Sequence, residues 1–178
     1  MITYINSPFF FKNFCLLILL SLSCQKTQTL KNTIIKLQND AGVEVIISQA
    51  KITNALKFKF EAIDQKETLH FYDTNLPING LMGIGRPTLV ELDKNSAFKQ
   101  KRKAYALEKL VQNKDDMKTY PPGPIHLILE LEKKSFLKKK YFSIPLLITY
   151  MACTETYCHP PVTRKRVSVN IPADWLQD

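Results

Sequence analysis

The segment Leu56-Lys57-Phe58-Lys59-Phe60-Glu61 alternates between an apolar and a charged side chain at every step. A period of two is typical of a β-strand that has one face in the core and the other in water. Three further segments of ordinary strand length alternate in the same way. They are Val43–Ser48, Ile125–Glu132 and Arg166–Ile171. The four segments together predict strands that each place one face in a common core.

The run Phe142–Ala152 is apolar on both faces, which indicates a strand buried within a sandwich. Pro145 has no N–H to give to a neighbouring strand, so its part of this strand should be an edge or a beginning. Turn residues separate the strands at Gly83–Pro87 and Pro121–Pro124, and only Ala97–Lys114 suits a short helix. We therefore predict an all-β fold, an antiparallel β-sandwich.

Composition and charge narrow the classes of function. The chain has 178 residues, of which 45% are hydrophobic, enough for one domain with a core. Its formal net charge is +9, with basic clusters at 99–103, 138–140 and 164–166. We expect no nucleic-acid partner, because these clusters lack interleaved aromatic residues and the chain begins with an export signal. Solvated basic turns near an anionic membrane surface are the simpler interpretation.

The start of the chain has the order of a secretory signal. Lys12 is followed by the apolar run Phe14–Leu20, which is shorter than the roughly 20 residues that a membrane helix needs. The segment Leu20-Ser21-Leu22-Ser23-Cys24 resembles the lipobox of bacterial lipoproteins, although Ser21 stands where the lipobox usually has leucine.

This resemblance implies a signal peptide over residues 1–23, a lipid on Cys24 and a polar tether over 24–41. The domain would then occupy 42–178, anchored through lipid in the bacterial cell envelope and facing the periplasm. A plain cleaved signal without a lipid, or a buried apolar helix, stays open as the alternative.

Cys153 and Cys158 are the cysteines left to the domain, since Cys15 leaves with the signal and Cys24 takes the lipid. Outside the cytosol such a pair can form a disulfide. A strand runs into Cys153, four residues loop out, and the stiff Pro160-Pro161 pair follows soon after Cys158. Such a hairpin keeps two sulfurs near the surface, where the thiolate of another protein can attack a disulfide.

The segment Thr149-Tyr150-Met151-Ala152-Cys153-Thr154-Glu155-Thr156-Tyr157-Cys158-His159-Pro160-Pro161-Val162-Thr163 resembles the amino-terminal periplasmic domain of DsbD-type thiol:disulfide interchange proteins. The looser resemblance covers about Gly42–Pro172 and implies an immunoglobulin-like sandwich. It also implies that Cys158 forms mixed disulfides with partners and that Cys153 resolves them. No cofactor and no metal are expected.

In that family the domain takes electrons from a membrane-embedded relay and passes them to periplasmic disulfide isomerases and cytochrome c maturation factors. The resemblance therefore implies a component of a protein-disulfide reductase pathway. Its partners would be thioredoxin-like periplasmic proteins or a membrane thiol relay on a separate chain. It further implies a cap loop over the cysteines near Asp115, Asp116, Met117 and Tyr120, and an aromatic strand beneath them at His70–Tyr72.

The residues around Cys158 give a second reason to expect it to be the reactive thiolate. His159 follows it directly, Pro160 and Pro161 stiffen the exit, and a basic cluster lies at 164–166. A cationic neighbour lowers the pKa of a thiol. Glu155 lies nearer to Cys153 and opposes that effect there.

Two other interpretations stay open. The pair could be a structural disulfide in a non-catalytic, lipid-anchored binding module, since most exported cysteine pairs are structural. Alternatively Cys153, Cys158 and His159 could hold copper with His126 or His70. The four-residue gap between the cysteines does not match zinc knuckles or c-type haem attachment, which use gaps of two.

Overall fold

The computed structural model describes residues 35–52, 54–81, 83–112, 117–133 and 140–173. These residues form thirteen β-strands and contain no α-helix. The strands are β1 Ile35–Asp40, β2 Val43–Gln49, β3 Ala55–Ala62, β4 His70–Phe71, β5 Leu89–Leu92, β6 Phe98–Gln100, β7 Tyr105–Ala106, β8 Val111–Gln112, β9 Lys118–Thr119, β10 Ile125–Lys133, β11 Tyr141–Tyr150, β12 Ala152–Cys153 and β13 Val162–Pro172.

Two antiparallel sheets supply the layers of a sandwich. The larger sheet has the order β1-β2-β3-β10-β6, with β7 also paired to β10, and the smaller has the order β13-β11-β5. Their inner faces contribute to a single hydrophobic cluster. The predicted all-β antiparallel sandwich is therefore confirmed.

The alternation read from the sequence sets which face of each strand is buried. Leu56, Phe58 and Phe60 of β3 have no exposed surface, while Lys57 and Lys59 between them are partly exposed. Burying a side chain of this size contributes roughly 1.5–3 kcal/mol. The core residues shared between the sheets include Val45, Ile47, Phe58, Phe60, Leu127, Leu129, Ile144, Leu146, Val169 and Ile171.

Pro145 occupies the position that its chemistry allows. Up to this residue β11 pairs with β13 alone, and pairing with β5 starts at Leu146. The Pro145 carbonyl accepts a hydrogen bond from Asp93 N, just past the end of β5, at 3.0 Å. The missing N–H of proline therefore falls where the partner strand has ended, as an edge position predicts.

The stretch 97–114, the only one whose sequence suits a short helix, forms β6, β7 and β8 in the residues described there. The edge of β10 decides the structure, because β6 and β7 both pair with that strand. Phe98 is 2% exposed and packs edge-on against Phe142, with ring centroids 5.4 Å apart. Long-range pairing and this aromatic contact outweigh a weak local preference.

The tether predicted over 24–41 ends too late, because Ile35–Asp40 pairs with β2 as strand β1. The connecting residues Ala41 and Gly42 have φ angles of 47° and 72°, as in the primed turns that close two-residue hairpins. The predicted signal and the lipid site Cys24 lie outside the described residues. Within the described ranges no helix is long and apolar enough to cross a membrane.

Candidate functional site

A disulfide joins Cys153 and Cys158, whose Cα atoms are 3.9 Å apart. The two residues face each other as an antiparallel pair, and His159 N extends the pairing with a 2.9 Å hydrogen bond to Ala152 O. The predicted hairpin is therefore present.

Thr154 shapes the loop between the cysteines. Its Oγ1 accepts hydrogen bonds from the backbone N–H groups of Thr156 at 3.2 Å and Tyr157 at 3.1 Å, while Thr154 N donates to Tyr157 O at 2.8 Å. Such side-chain bonds are how threonine stabilises tight turns. These hydrogen bonds define a tight turn, and Cys158 follows it directly. Pro160 and Pro161 are exposed and lead into β13.

The two sulfur-bearing residues differ in exposure. Cys153 is 1% exposed because β12 pairs with β4, placing Cys153 opposite His70. Cys158 lies past the turn and is exposed. An attacking thiolate must reach a sulfur to exchange with it, so access favours Cys158.

The buried side of the disulfide contacts the aromatic segment His70–Tyr72, which the resemblance placed beneath the cysteines. The Tyr72 hydroxyl lies 3.3 Å from Cys153 Sγ, and Tyr72 is 3% exposed. His70 is half-buried, and burial lowers its pKa against a smaller opposing effect of Glu155. A neutral His70 is therefore favoured, so this imidazole brings little positive charge to the buried sulfur.

On the exposed side of the disulfide, one carboxylate contacts both neighbours of Cys158. No sequence pattern pointed to this residue, Glu67. Glu67 accepts a hydrogen bond from the Tyr157 hydroxyl at Oε1, and its Oε2 lies 3.2 Å from His159 Nε2. Tyr157 and His159 are the residues on either side of Cys158. The bond from Tyr157 is the largest cause that lowers the pKa of Glu67, and the same bond raises the pKa of Tyr157. We call Glu67, Tyr157 and His159 the carboxylate clamp.

The geometry changes the expected part of His159. Its ring nitrogen faces Glu67, and its ring lies over Gly42, where a Cβ atom would come within 2.4 Å of His159 Cε1. A positive charge on His159 would therefore be balanced by Glu67. That His159 lowers the pKa of Cys158 stays a prediction, and the expected shift is smaller.

The basic cluster at 164–166 was expected to add positive charge near Cys158, and the structure gives each of these side chains an acidic partner. Each of its side chains is paired with an acid from another part of the chain. The pairs are Arg164 with Glu91 at 3.2 Å, Lys165 with Asp40 at 2.6 Å and Arg166 with Asp93 at 3.2 Å. The cluster therefore pairs acids along the sheet rather than adding unbalanced charge beside the sulfur.

A groove of about 520 Å³ opens beside the disulfide. Both cysteines line it, and its apolar wall includes Ile84, Val111 and Tyr157, which are 52%, 44% and 48% exposed. Sequence reasoning assigned the loop of Ile84 to a turn and missed its place in the wall. Arg86 holds that loop, since its Nη1 donates to the carbonyls of Asn79, Gly83 and Gly85 at 2.6–3.1 Å.

The predicted cap loop falls partly beside the groove. Met117 lines it, next to the paired strands β8 and β9, while Asp115 and Asp116 lie outside the described residues. Tyr120 does not cover the disulfide: it is 3% exposed in the core, with its hydroxyl 3.4 Å from Thr74 N. Burial in the core therefore keeps Tyr120 from the position over the cysteines that the resemblance implied.

Two of the three imidazoles considered for copper have carboxylate partners. His126 Nδ1 lies 2.7 Å from Glu108 Oε1, and His159 bonds Glu67. Among the described residues no group of three or more His, Cys, Asp or Glu side chains is placed to hold a metal ion.

Comparisons with protein-family models, with curated proteins and with solved structures found no match to this chain. The DsbD resemblance therefore stays a prediction.

Proposed function

We propose that this protein is a thiol–disulfide exchange module. It would relay electrons between a thioredoxin-like or membrane-embedded donor and periplasmic disulfide partners. The observation that carries the proposal is the unequal exposure of the two cysteines, with Cys153 buried and Cys158 open to a groove. Exchange requires one sulfur that a partner can reach and a second that can leave and return.

The groove supports the proposal because it offers a surface on which a partner can dock. Single exposed apolar side chains are ordinary on any protein. Here Ile84, Val111 and Tyr157 converge on one disulfide. Apolar and aromatic side chains around a recessed centre are the composition of the energetically important part of protein interfaces. A partner that presents a cysteine on an apolar surface would bury them.

The energetics of the short loop weigh against a purely structural disulfide. Closing so short a loop contributes only about 2 kcal/mol on the chain-entropy model. The fully buried side chains of Phe58, Phe60 and Leu127 contribute roughly 1.5–3 kcal/mol each. The sandwich therefore gains little from this bond, and chemical exchange explains its position better than a need for stability.

The same proposal places the domain on a lipid anchor at Cys24, in the periplasm-facing cell envelope, with an immunoglobulin-like version of the sandwich. The apolar run Phe14–Leu20 and the lipobox-like residues before Cys24 support the anchor. Replacing Cys24 with alanine should move the protein from the membrane fraction to the soluble periplasmic fraction. Retention of the variant in the membrane fraction after signal cleavage would contradict the anchor.

The exchange reaction is tested by reducing the mature domain with a thioredoxin-like protein or with glutathione at equal thiol concentration, and trapping the thiols by alkylation. We expect the thioredoxin-like donor to reduce the Cys153–Cys158 bond far faster. The same donor with its own cysteines replaced is the control. A bond that resists a panel of thioredoxin-like donors at their working potentials would instead assign the pair to a structural disulfide in a binding module.

A further inference from the structure

Tyr72 is fixed in place from several directions. It follows β4, and its carbonyl accepts a 3.2 Å hydrogen bond from Thr88 N. Its backbone also forms bridges to Pro87 and Thr119. Its ring packs on Gly85, where a Cβ atom would lie only 3.1 Å from Tyr72 Cδ1. Since Gly85 also has a φ of 71°, this position suits glycine on both counts.

The direction of the bond between Tyr72 and Cys153 follows from the chemistry of the disulfide. A disulfide sulfur carries no hydrogen, so the Tyr72 hydroxyl is the donor across the 3.3 Å separation. A hydroxyl that donates to a neutral sulfur donates more strongly to the same sulfur once it is an anion.

A thiolate at Cys153 would otherwise be poorly stabilised. Cys153 is 1% exposed, and loss of water disfavours a charged sulfur. The nearest imidazole, His70, is favoured in its neutral form. The cationic side chains at 164–166 are paired with the acids Glu91, Asp40 and Asp93. A stabilising donor is therefore needed on the buried side, and Tyr72 is in contact with the sulfur.

We propose that Tyr72 is a catalytic residue of the exchange reaction, where its hydroxyl stabilises Cys153 as the departing and returning thiolate. This rests on the proposed function. During reduction, the donor thiolate attacks Cys158 Sγ and forms a new S–S bond. The Cys153–Cys158 bond breaks, and its electron pair goes to Cys153 Sγ. A second donor thiolate then attacks the donor's own sulfur in the mixed disulfide and releases Cys158 as a thiolate. The donor dithiol has become a disulfide, and the Cys153–Cys158 pair has gained two electrons.

Transfer to an acceptor runs the steps in reverse. The Cys158 thiolate attacks the acceptor disulfide and expels one acceptor thiolate. Cys153 then attacks Cys158 Sγ in the mixed disulfide and expels the second, which restores the Cys153–Cys158 bond. A lower pKa at Cys153 favours its departure in the first direction and its availability as a thiolate in the second.

The test replaces Tyr72 with phenylalanine, which removes the hydroxyl and keeps the ring. The matched control is Tyr150→Phe: Tyr150 is 2% exposed, and its hydroxyl donates to Asp40 O at 2.8 Å, not to sulfur. We expect Tyr72→Phe to slow single-turnover reduction by a thioredoxin-like donor about tenfold, and Tyr150→Phe to leave the rate unchanged. Thermal unfolding of the oxidised proteins verifies that both variants fold.

A second readout separates an electrostatic role from a packing role. In a Cys158→Ala background, Cys153 titrates alone, and its thiolate absorbance gives its pKa. Adding Tyr72→Phe should raise that pKa by about one unit, the equivalent of the tenfold change in rate. Unchanged rate and pKa in Tyr72→Phe, with the wild type reduced normally, overturn the inference and leave the proposed function standing. A wild-type protein that no thioredoxin-like donor reduces overturns both.

Discussion

The two ends of one disulfide are held by different kinds of structure. Cys153 is held by backbone pairing between β12 and β4, by the core, and by the hydroxyl of Tyr72. Cys158 is held by a threonine-based turn and by the carboxylate clamp on its two neighbours. The buried sulfur is out of reach of a partner, whereas the exposed residue lies where a partner can contact it. In the proposed exchange reaction, this difference favours attack at Cys158 and departure of Cys153.

The largest expected effect comes from removing one sulfur at a time. Cys153→Ala should accumulate a mixed disulfide with an oxidised thioredoxin-like partner, because Cys158 can attack but nothing in the domain resolves the adduct. Cys158→Ala should accumulate little, because Cys153 is 1% exposed. Non-reducing electrophoresis and intact mass of the complex measure both. Equal trapping by the two variants, or the opposite order, would remove the role assignment even if the domain still exchanges electrons.

The next largest effect is expected from a substitution at Gly42 that displaces His159 and so disrupts the carboxylate clamp. A Cβ atom there would lie 2.4 Å from His159 Cε1, and the φ of 72° is strained for alanine. Gly83 is the matched control, since its φ is 83° but a Cβ atom would meet nothing within 4 Å. Gly42→Ala should lower the free energy of unfolding by about 1 kcal/mol more than Gly83→Ala does, because His159 must shift.

Chemical denaturation of the oxidised proteins measures this difference. Alkylation of the reduced forms should also show a more reactive Cys158 in Gly42→Ala. Equal unfolding free energies in the two variants would show that His159 moves aside freely, and that the clamp does not restrain the exposed end.

Sequence patterns predicted most of the sandwich but fewer of the residues at the candidate site. Alternation located β2, β3, β10 and β13, because a strand with one wet face has its period in its own residues. The cysteine motif indicated the disulfide because its two cysteines are close together in the sequence. Glu67 could not be found in this way, since it lies 92 positions from His159 along the chain. Only the packing of the loop after β3 against the cysteine hairpin brings the two together.

Charge was the least predictable property from sequence. The cationic run at 164–166 suggested an excess of positive charge near Cys158, but its partners Asp40, Glu91 and Asp93 come from distant parts of the sequence. Local composition contains no information about which acids a sheet will bring near a base. The stretch 97–114 suits a helix locally but forms strands, because the edge of β10 that it pairs with lies elsewhere in the chain.

A smaller effect is expected from the charge of the clamp. The pKa of Glu67 is lowered mainly by the bond from Tyr157, so its contribution to stability is present above the ordinary value of 4.5 and is lost as pH falls through the lowered value. The pKa of Tyr157 is raised from 10.0 mainly by the same bond, so that contribution is present below 10.0 and fades as pH rises through the raised value. The clamp should therefore be intact at neutral pH.

Glu67→Gln keeps an acceptor oxygen for Tyr157 but removes the charge. The stability difference between wild type and this variant should be flat near neutral pH and shrink in acid. Because Glu67 and Tyr157 are partly in water, we expect this difference to be small. Denaturation curves from acid to neutral pH measure it, and a difference that grows as the pH falls would contradict the assignment.

The smallest expected effect concerns His159, which the sequence placed beside Cys158 as a tuning group. Replacing it with leucine removes both the charge that a protonated imidazole would carry and the bond to Glu67, whereas glutamine removes that charge and keeps a donor for the carboxylate. A cationic neighbour lowers a thiol pKa, so both variants should raise the pKa of Cys158, measured from the pH dependence of alkylation in a Cys153→Ala background. The rise should be smaller than the change that Tyr72→Phe causes at Cys153, because Glu67 lies 3.2 Å from His159 Nε2 and balances its charge. If leucine raises the pKa and glutamine does not, His159 acts through the clamp and not through its charge. No change in either variant would leave the resemblance and the exposure of Cys158 as the reasons for the order of the two sulfurs.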